Sequence, residues 1–523
     1  MERSLEARGD LVAPPAILLL AGALAMVAAY HACRVFELGH KSYGEAPILA
    51  LTERMAAEPP SAAWRTGPPY TLSCYGPAFY WASGAVAQLG GWRHSIVPGR
   101  LVSVAAALFV AALIAVAAGG GARHVEVGLA GALIFLVSGP VSEWLPYARV
   151  DLLALAFAAI AYVAAQRGWG GAALPAIAVV AGSLAKPTIA LAAAPITLHL
   201  LLNRQSRKAL WFAVLVVGLG AASWATVEWT SDGYFLSAVL SGNRNPLSLW
   251  RGYRFGYEFL GSPLGVGACV TSIGLWIVSP QEFRRSLFSL GFLVSTAIAT
   301  VLVCKRGSDL NYFLEPAMLG SLAIAVDGVP RLYAADARRA NLALLFLTII
   351  LAAPVLREFR KNDALRQAAA PLRQAVGWAE RSESHHAASH SLPRAHFEAV
   401  SRLLAGEPAH VGILADGQCV DMVLAAGCQP WVNDSYLYML LTGNGTLDST
   451  ELIEQVRLGH IGWLFLHQPL EAHLQSVAHH SNLWPPEVLR CLAESFEPLP
   501  APEGLFAYRR AQRASAKPEP EPR

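Results

Sequence analysis

Long apolar stretches recur along the first two thirds of the chain, separated by short polar or charged turns. A helix that crosses the hydrocarbon core of a bilayer needs about 20 mainly apolar residues, and fewer where neighbouring helices surround it. The pattern predicts eleven transmembrane helices, near residues 12–32, 100–119, 125–140, 150–166, 172–185, 188–202, 209–227, 262–280, 287–304, 311–327 and 341–356. The first is too long for a removed signal peptide, so we interpret it as a retained anchor.

Positive charges predict which ends of these helices face the cytoplasm, because Lys and Arg are retained in cytoplasmic loops. Three groups of Lys and Arg residues lie between the predicted helices, and each group is separated from the next by two helices. The groups are Arg204, Arg207 and Lys208; Arg284 and Arg285; and Arg331, Arg338 and Arg339. Placing all three groups on the cytoplasmic side puts residues 228–261, the turn 305–315 and everything after about 357 on the external side. Residues 34–99 then form a large first external loop.

The stretch 78–90 (AFYWASGAVAQLG) inside this loop is apolar but only about 13 residues long. That length fits an interfacial or re-entrant helix better than a membrane span. The alternative is that this segment crosses the membrane and another apolar segment does not, since short apolar segments are ambiguous.

From about residue 357 the chain regains an ordinary charged and polar composition. Short apolar runs, HVGILA (410–415) and GWLFLH (462–467), alternate there with helical patterns such as ELIEQVRLG, which favours a small α/β sheet domain. We therefore predict a polytopic α-helical membrane domain over 1–356 and an exported α/β domain over 357–513. The residues 514–523 have the Pro, Glu and Lys composition of a disordered tail.

Composition narrows the possible functions. The 523 residues are 54% hydrophobic and 15% charged, too apolar for a soluble enzyme of this size. The 40 basic and 37 acidic residues nearly cancel and form no long basic run, so we expect no nucleic-acid partner. The chain has no metal-ligand spacing, so the sequence predicts no metal site, and it does not identify a cofactor.

The first external loop holds a candidate general base. Glu45 follows the first predicted helix, close to the expected membrane surface. A carboxylate held there is expensive to desolvate and can have a raised pKa, as a general base requires. A solvated loop carboxylate is the competing interpretation.

Five polar motifs fall at predicted helix ends on the external side: TGPPYTLSCYGPAFYW (66–81), GRLVS (99–103), SEWLPYARVDLLAL (142–155), AKPTIALAAAP (185–195) and KRGSDLNYFLEPA (305–317). Their common side predicts that they converge on one site. With a Glu after the first helix, the order of Tyr-Gly-Pro, Gly-Arg-Leu, Arg-x-Asp, Lys-Pro-Thr and Gly-Ser-x-x-Asn-Tyr-Phe-x-Glu resembles bacterial membrane glycosyltransferases of the GT-C superfamily. The similarity is to the protein O-mannosyltransferase and aminoarabinose transferase type, over about residues 10–356 and more loosely over the C-terminal domain.

This resemblance implies transfer of a sugar from a polyprenyl-phosphate carrier to a glycan, lipid or protein acceptor of the cell envelope. It places the enzyme in the bacterial inner membrane, with its C-terminal domain in the periplasm. An acidic residue of the first external loop activates the acceptor hydroxyl in such enzymes, and Glu45 occupies that position here. The family's usual Asp-Glu or Gly-Glu-Gly is replaced by Gly44-Glu45-Ala46, which leaves Glu37 as an alternative.

The departing polyprenyl phosphate needs cations to stabilise its charge. We assign this role, as a hypothesis, to Arg149, Lys186, Lys305 and Arg306, because Arg grips phosphate oxygens bidentately and Lys acts as a point charge. Structural ion pairs with Asp151, Asp309 or Glu315 are the competing interpretation.

Aromatic and amide side chains complete the predicted site. Tyr75, Tyr80 and Trp81 are candidates to line the carrier or sugar cleft, or else to anchor the protein at the membrane interface. By the resemblance alone, Asn311 and Tyr312, beside Glu315, contact sugar or phosphate.

Two other classes of protein also fit a charged multi-helix chain. A transporter or flippase of a lipid-linked saccharide is expected to carry its ionisable groups near the membrane midplane, whereas here they cluster towards one face. A glycan-binding protein that uses its membrane part only as a scaffold is the other alternative, and such a protein would tolerate mutation of Glu45.

Overall fold

The computed structural model describes residues 14–36, 44–58, 64–119, 125–305, 307–335, 394–408, 410–475 and 484–511. Several predictions fall outside these residues: the helix 341–356, the boundary at 356/357, the tail 514–523, Glu37 and Arg306.

Among the described residues up to 335, the regular elements are helices. Its helices are α1 (Pro14–Val35), α2 (Glu45–Ala57), α3 (Ala78–Gly90), α4 (Val97–Ala118), α5 (Val125–Val137), α6 (Gly139–Trp144), α7 (Val150–Arg167), α8 (Ala173–Ser183), α9 (Ala193–Leu202), α10 (Ser206–Thr230), α11 (Tyr234–Ser241), α12 (Leu249–Leu260), α13 (Pro263–Val278), α14 (Pro280–Arg285), α15 (Leu287–Val303), α16 (Leu314–Leu322) and α17 (Val329–Ala335). Short 3-10 helices at Pro187–Ala192 and Leu310–Phe313 and a π-helical turn at Ala323–Gly328 join some of them.

Strands occur after residue 394. The order there is α18 (Arg394–Leu404), β1 (Gly412–Ala415), α19 (Val420–Ala425), α20 (Ser435–Gly443), α21 (Thr450–Leu458), β2 (Ile461–Leu466), α22 (Leu470–Gln475), α23 (Pro486–Ser495), β3 (Phe496–Leu499) and β4 (Phe506–Arg510).

Ten of the eleven predicted transmembrane segments coincide with observed helices. Within the described residues, five helical runs are long and apolar enough to cross a membrane: Ile17–Val35, Val97–Ala118, Val150–Arg167, Ser206–Thr230 and Leu310–Leu332. The pair α12 and α13 forms a sixth if it is one span, bent by 83°. Four further apolar helical segments are shorter, so the helices are confirmed, while the number of crossings stays a prediction. The stretch 78–90 is a 13-residue helix, α3, as expected.

Two compact units make up the chain. The first comprises residues 1–37, 100–224 and 245–389, and the second comprises 38–99, 225–244 and 390–523. The first external loop therefore groups with the C-terminal residues, whereas the sequence analysis assigned it to the membrane domain.

Backbone pairing explains this grouping within the second unit. Tyr70 N donates to Trp431 O at 2.7 Å, and the buried Asn433 side chain accepts from Leu72 N at 2.7 Å and donates to Leu72 O at 3.0 Å. These bonds satisfy backbone groups that would otherwise be buried unpaired.

The second unit contains a four-stranded sheet in the order β1-β2-β4-β3. β1 and β2 are parallel neighbours, and β4 pairs antiparallel with both β2 and β3. Every residue of β1 and all but Gly462 of β2 are buried, as expected for apolar strands packed between helices. The predicted α/β character of the C-terminal residues is thus observed.

Small residues allow close helix packing in the first unit. A Cβ atom built on Gly182 of α8 would lie 2.8 Å from Ile189 Cγ2 and 3.2 Å from Ala154 O of α7. Interfaces between membrane helices are rich in such small residues, because they let backbones approach. Gly182 lies one turn before Lys186. The close approach of α8 to α7 at Gly182 therefore fixes the backbone position from which the Lys186 side chain extends.

We expect Gly182→Leu to lower the midpoint of thermal unfolding in detergent. Overpacking at this helix contact should lower the free energy of unfolding by about 1–3 kcal/mol. Gly218→Leu is the matched control, since nothing lies within 4 Å of a Cβ at the exposed, helical Gly218. The control should unfold at or above the wild-type temperature because Leu has the higher helix propensity. Equal midpoints for the two variants would contradict the packing argument.

Candidate active site

A buried ion pair lies at the centre of the polar residues of the first unit. Lys186 Nζ contacts Asp151 Oδ1 at 2.6 Å, and the two residues are 6% and 3% exposed. Asp151 is in the first turn of α7, and Lys186 is the residue before the 3-10 helix Pro187–Ala192. Because water is excluded at both residues, each charge depends on the other for compensation.

The segment 305–315 completes this cluster. Asn311 Nδ2 donates to Asp151 Oδ1 at 2.9 Å, and the ring of Tyr312 lies 4.5 Å from Lys186 Nζ and 5.8 Å from Lys305 Nζ. An ammonium over an aromatic face is stabilised by the ring quadrupole. Tyr312 therefore holds two of the predicted cations on one ring.

Arg149 approaches the same carboxylate from the residue before α7. Its Nε lies 3.7 Å from Asp151 Oδ2, and its guanidinium lies 5.3 Å from the centre of the Trp144 ring. Arg149 N and O both bond Ser103 Oγ, at 3.4 and 3.2 Å, which fixes the turn. Asp151 carries one negative charge, so by itself it neutralises at most one of the two cations that approach it.

A pocket of the first unit opens beside this cluster. Among its lining residues are Asp151, Lys186, Asn311, Tyr312 and Glu315, together with apolar side chains such as Leu155 and Ile298. This mixture of apolar walls and a few polar groups is typical of ligand sites.

Glu315 has a partner that the sequence analysis did not identify. Tyr162 Oη donates to Glu315 Oε1 at 2.6 Å, from a fully buried position on α7. Tyr162 follows Asp151 by eleven residues, or about three helical turns, so both lie on one face of α7. That spacing is the signal by which the sequence could have indicated Tyr162.

Glu45 belongs to the second unit and is the first residue of α2. Its side chain is fully buried, unlike the solvated loop carboxylate that was the alternative. The amino end of a helix favours a negative charge, because its backbone N–H groups point outward. Glu53, two turns further along α2, contacts His94 Nδ1 at 3.2 Å, and burial raises the pKa of Glu53.

The two predicted tyrosines of the second unit differ in environment. Tyr80 is 1% exposed, and its Oη lies 2.7 Å from Ser73 Oγ, whereas Tyr75 is half-buried. Tyr234 Oη donates to Ser73 O at 3.3 Å, and burial raises the pKa of Tyr234, so its hydroxyl stays protonated. Tyr80 is therefore part of an internal hydrogen-bond network.

The structure thus brings together residues of four of the five predicted motifs: 142–155, 185–195 and 305–317, and, through the bonds between Ser103 and Arg149, 99–103. Glu45, Tyr75 and Tyr80 lie in the second unit.

Neither protein-family models nor curated protein sequences match the chain. Solved structures do match. The chain is similar to ArnT from Cupriavidus metallidurans bound to undecaprenyl phosphate, with a TM-score of 0.56, 12% identity, and coverage of 94% of this chain and 98% of that one. The apo state of the same protein gives a TM-score of 0.55 at 12% identity, over 94% and 97%. Archaeal oligosaccharyltransferase AglB from Archaeoglobus fulgidus, in complex with an inhibitory peptide and a dolichol-phosphate, gives 0.47 at 10% identity, over 94% and 74%.

ArnT is an aminoarabinose transferase of the GT-C type. Its match spans nearly the whole of both chains, so it covers the helices of the first unit and the mixed sheet of the second. The resemblance expected from the motifs is confirmed at the level of the fold, which this chain shares with ArnT.

Proposed function

We propose that this protein is a membrane glycosyltransferase that transfers a sugar from a polyprenyl-phosphate carrier to a cell-envelope acceptor. The observation that carries the proposal is the buried cluster of Lys186, Asp151 and Asn311 beside a pocket, within the fold of a protein whose structure was solved with undecaprenyl phosphate. We propose the bacterial inner membrane as its location, with the second unit on the external side.

The proposed reaction is a displacement at the anomeric carbon of the donor sugar. The acceptor hydroxyl oxygen forms a bond to that carbon while the bond from the carbon to the phosphate oxygen breaks. The hydroxyl proton goes to a base, and the bonding electrons leave with the polyprenyl phosphate. The phosphate gains one negative charge, so catalysis needs a base and fixed positive charge.

Glu45 is the proposed base. Its burial at the first residue of α2 supports this role, because a general base has to be held in a fixed position next to the hydroxyl that it deprotonates. The match between its position after the first helix and the acidic residue of GT-C enzymes supports the same assignment.

Lys305, Lys186 and Arg149 are the proposed phosphate ligands. Lys186 and Arg149 are oriented by Asp151, and Lys186 and Lys305 share the Tyr312 ring. The contact of the Lys186 ammonium with Asp151 at 2.6 Å supports the competing interpretation, a structural ion pair, for this residue. The two roles are compatible, because a paired ammonium has further N–H donors.

Glu45→Gln should abolish transfer of radiolabelled sugar from polyprenyl-phosphate carriers by purified protein in detergent, measured over a panel of carriers. Loss of a general base typically lowers the rate by about 10²–10⁴-fold. Glu53→Gln is the control, since it removes a carboxylate from the same helix and should retain activity.

Equal transfer by Glu45→Gln and wild type would move the base to another residue, with Glu37→Gln the next variant to measure. Absence of transfer by wild type from every carrier in the panel would contradict the proposed reaction itself.

Lys305→Met should raise the KM for the lipid-linked donor while the unfolding midpoint stays unchanged, because the variant removes a phosphate ligand and keeps the apolar stem. One charge-assisted hydrogen bond corresponds to about 1.5–3 kcal/mol, so we expect roughly a 10- to 100-fold rise. Lys208→Met, in the loop that we predict to be cytoplasmic, is the control and should leave KM unchanged. An unchanged KM in Lys305→Met would remove Lys305 from the site.

A double-mutant cycle measures the pairing of Asp151 with Lys186. Asp151→Asn should destabilise the protein by about 3–5 kcal/mol, because it leaves a buried ammonium without its anion. Asp151→Asn with Lys186→Met should be more stable than the sum of the single effects predicts. The exposed pair Arg394 and Glu398 serves as the control cycle, with an expected coupling of about 0.5 kcal/mol or less. Additive effects at Asp151 and Lys186 would show that the pair contributes no coupling.

A further inference from the structure

Two metal-ligand side chains stand at the same edge of the sheet in the second unit. Asp416 directly follows β1, and His467 directly follows β2. These strands are parallel neighbours, and Asp416 N donates to Phe465 O at 3.1 Å, so the pairing continues to their carboxyl ends. The carboxyl edge of parallel strands is where ligands bind in open α/β sheets.

A third ligand group comes from the helix that follows β2. His473 lies on α22, whose first turn is fixed by bonds from Ala472 N and His473 N to Pro469 O, at 3.0 and 3.2 Å. The ring of His473 meets that of His467 edge to face, with 5.6 Å between centres. The turn after β2 therefore folds His473 back over the strand end.

The Asp416 carboxylate is already oriented. Its Oδ2 accepts from His467 N at 2.8 Å and is hydrogen-bonded to His467 Nδ1, and its Oδ1 accepts from Gln418 N at 3.1 Å. Asp416 is fully buried and His473 is 2% exposed. Hydrogen bonds of this kind hold metal-binding carboxylates in place.

We propose that Asp416, His467 and His473 bind a divalent transition metal ion of the zinc class. One ligand atom from each residue lies within 4.8 Å of the other two. Zinc bonds to imidazole and carboxylate measure about 2.0–2.2 Å, and tetrahedral geometry then places two ligand atoms about 3.3–3.6 Å apart. The three side chains therefore close by at most about 1.2–1.5 Å when the ion binds. Two imidazoles and one carboxylate suit Zn²⁺ and disfavour Ca²⁺ and Mg²⁺, which prefer oxygen ligands alone.

This metal site is independent of the proposed sugar transfer. Its residues are 51 and 6 positions apart in the sequence, a spacing that matches no metal motif, so the sequence analysis predicted none. The alternative is a structural hydrogen bond between Asp416 and His467 that needs no metal.

Zinc binding to the full-length protein in detergent tests the proposal. The wild-type protein and the His473→Gln variant are first treated with a chelator and then dialysed to equilibrium against Zn²⁺. Wild type should bind one more zinc ion per chain than the variant. Loss of a ligand should lower the affinity by at least about tenfold, because removal of groups outside the coordination shell already costs 10- to 100-fold. His460→Gln is the control, since His460 is an exposed histidine of the same unit bonded to Gln455, and this variant should bind zinc as wild type does.

Two further measurements do not depend on how well His473→Gln folds. Co²⁺ added to chelator-treated wild type should give the visible absorption bands of tetrahedral nitrogen and oxygen coordination. Zn²⁺ should raise the unfolding midpoint of wild type, because a ligand that binds only the folded state stabilises it. Absence of the Co²⁺ bands, or equal zinc stoichiometry in wild type and His473→Gln, would overturn the proposal.

Discussion

The buried contact between Lys186 and Asp151 is the constraint on which the polar centre of the first unit depends. Transfer of an isolated charge into an apolar helix bundle is prohibitive, whereas a pair in direct contact, with further hydrogen bonds, is tolerated. The chain meets this requirement where elements begin: Arg149 precedes α7, Lys186 precedes the 3-10 helix Pro187–Ala192, and Asn311 lies in the 3-10 helix Leu310–Phe313. Polar side chains are concentrated at such breaks because the apolar helix bodies cannot hold them.

Apolar periodicity was enough to predict ten apolar helical segments and the strands β1 and β2, because burial itself selects those residues. It did not predict α12, which lies in the stretch 228–261 that we interpreted as an external loop. The grouping of Asp151, Lys186 and Asn311 also followed from the sequence, since each lies at a predicted helix end on one side of the membrane. Tyr162 was missed, because its spacing of three helical turns from Asp151 places it on the same face of α7 but does not identify the carboxylate that it meets on another helix. The joining of residues 38–99 to the C-terminal residues depends on backbone pairing, such as Tyr70 with Trp431, which has no local pattern.

The two units position their polar groups by different means. In the first, ion pairs and a tyrosine ring compensate the charges where helices start, and the nearby glycine Gly182 lets two helices approach. In the second unit, backbone hydrogen bonds between strands set the positions of the polar side chains. Asp416 and His467 are neighbours because the parallel strands β1 and β2 end side by side. A sheet edge fixes side chains from distant parts of the sequence, which is why the Asp416, His467 and His473 group cannot be read from sequence spacing alone.

In the proposed reaction, the phosphate and Asp151 compete for the same cations. The different surroundings of Lys186 and Lys305 give these two cations different roles. Lys186 is held by the carboxylate and by the Tyr312 ring, so its ammonium is oriented before any ligand arrives. Such preorganisation avoids the reorganisation that water would need when charge develops. Lys305 is farther from that ring and only half-buried, so its ammonium is more accessible to an arriving phosphate. A buried, oriented cation beside a more accessible one therefore suits a site that must bind the carrier before transfer and release it afterwards.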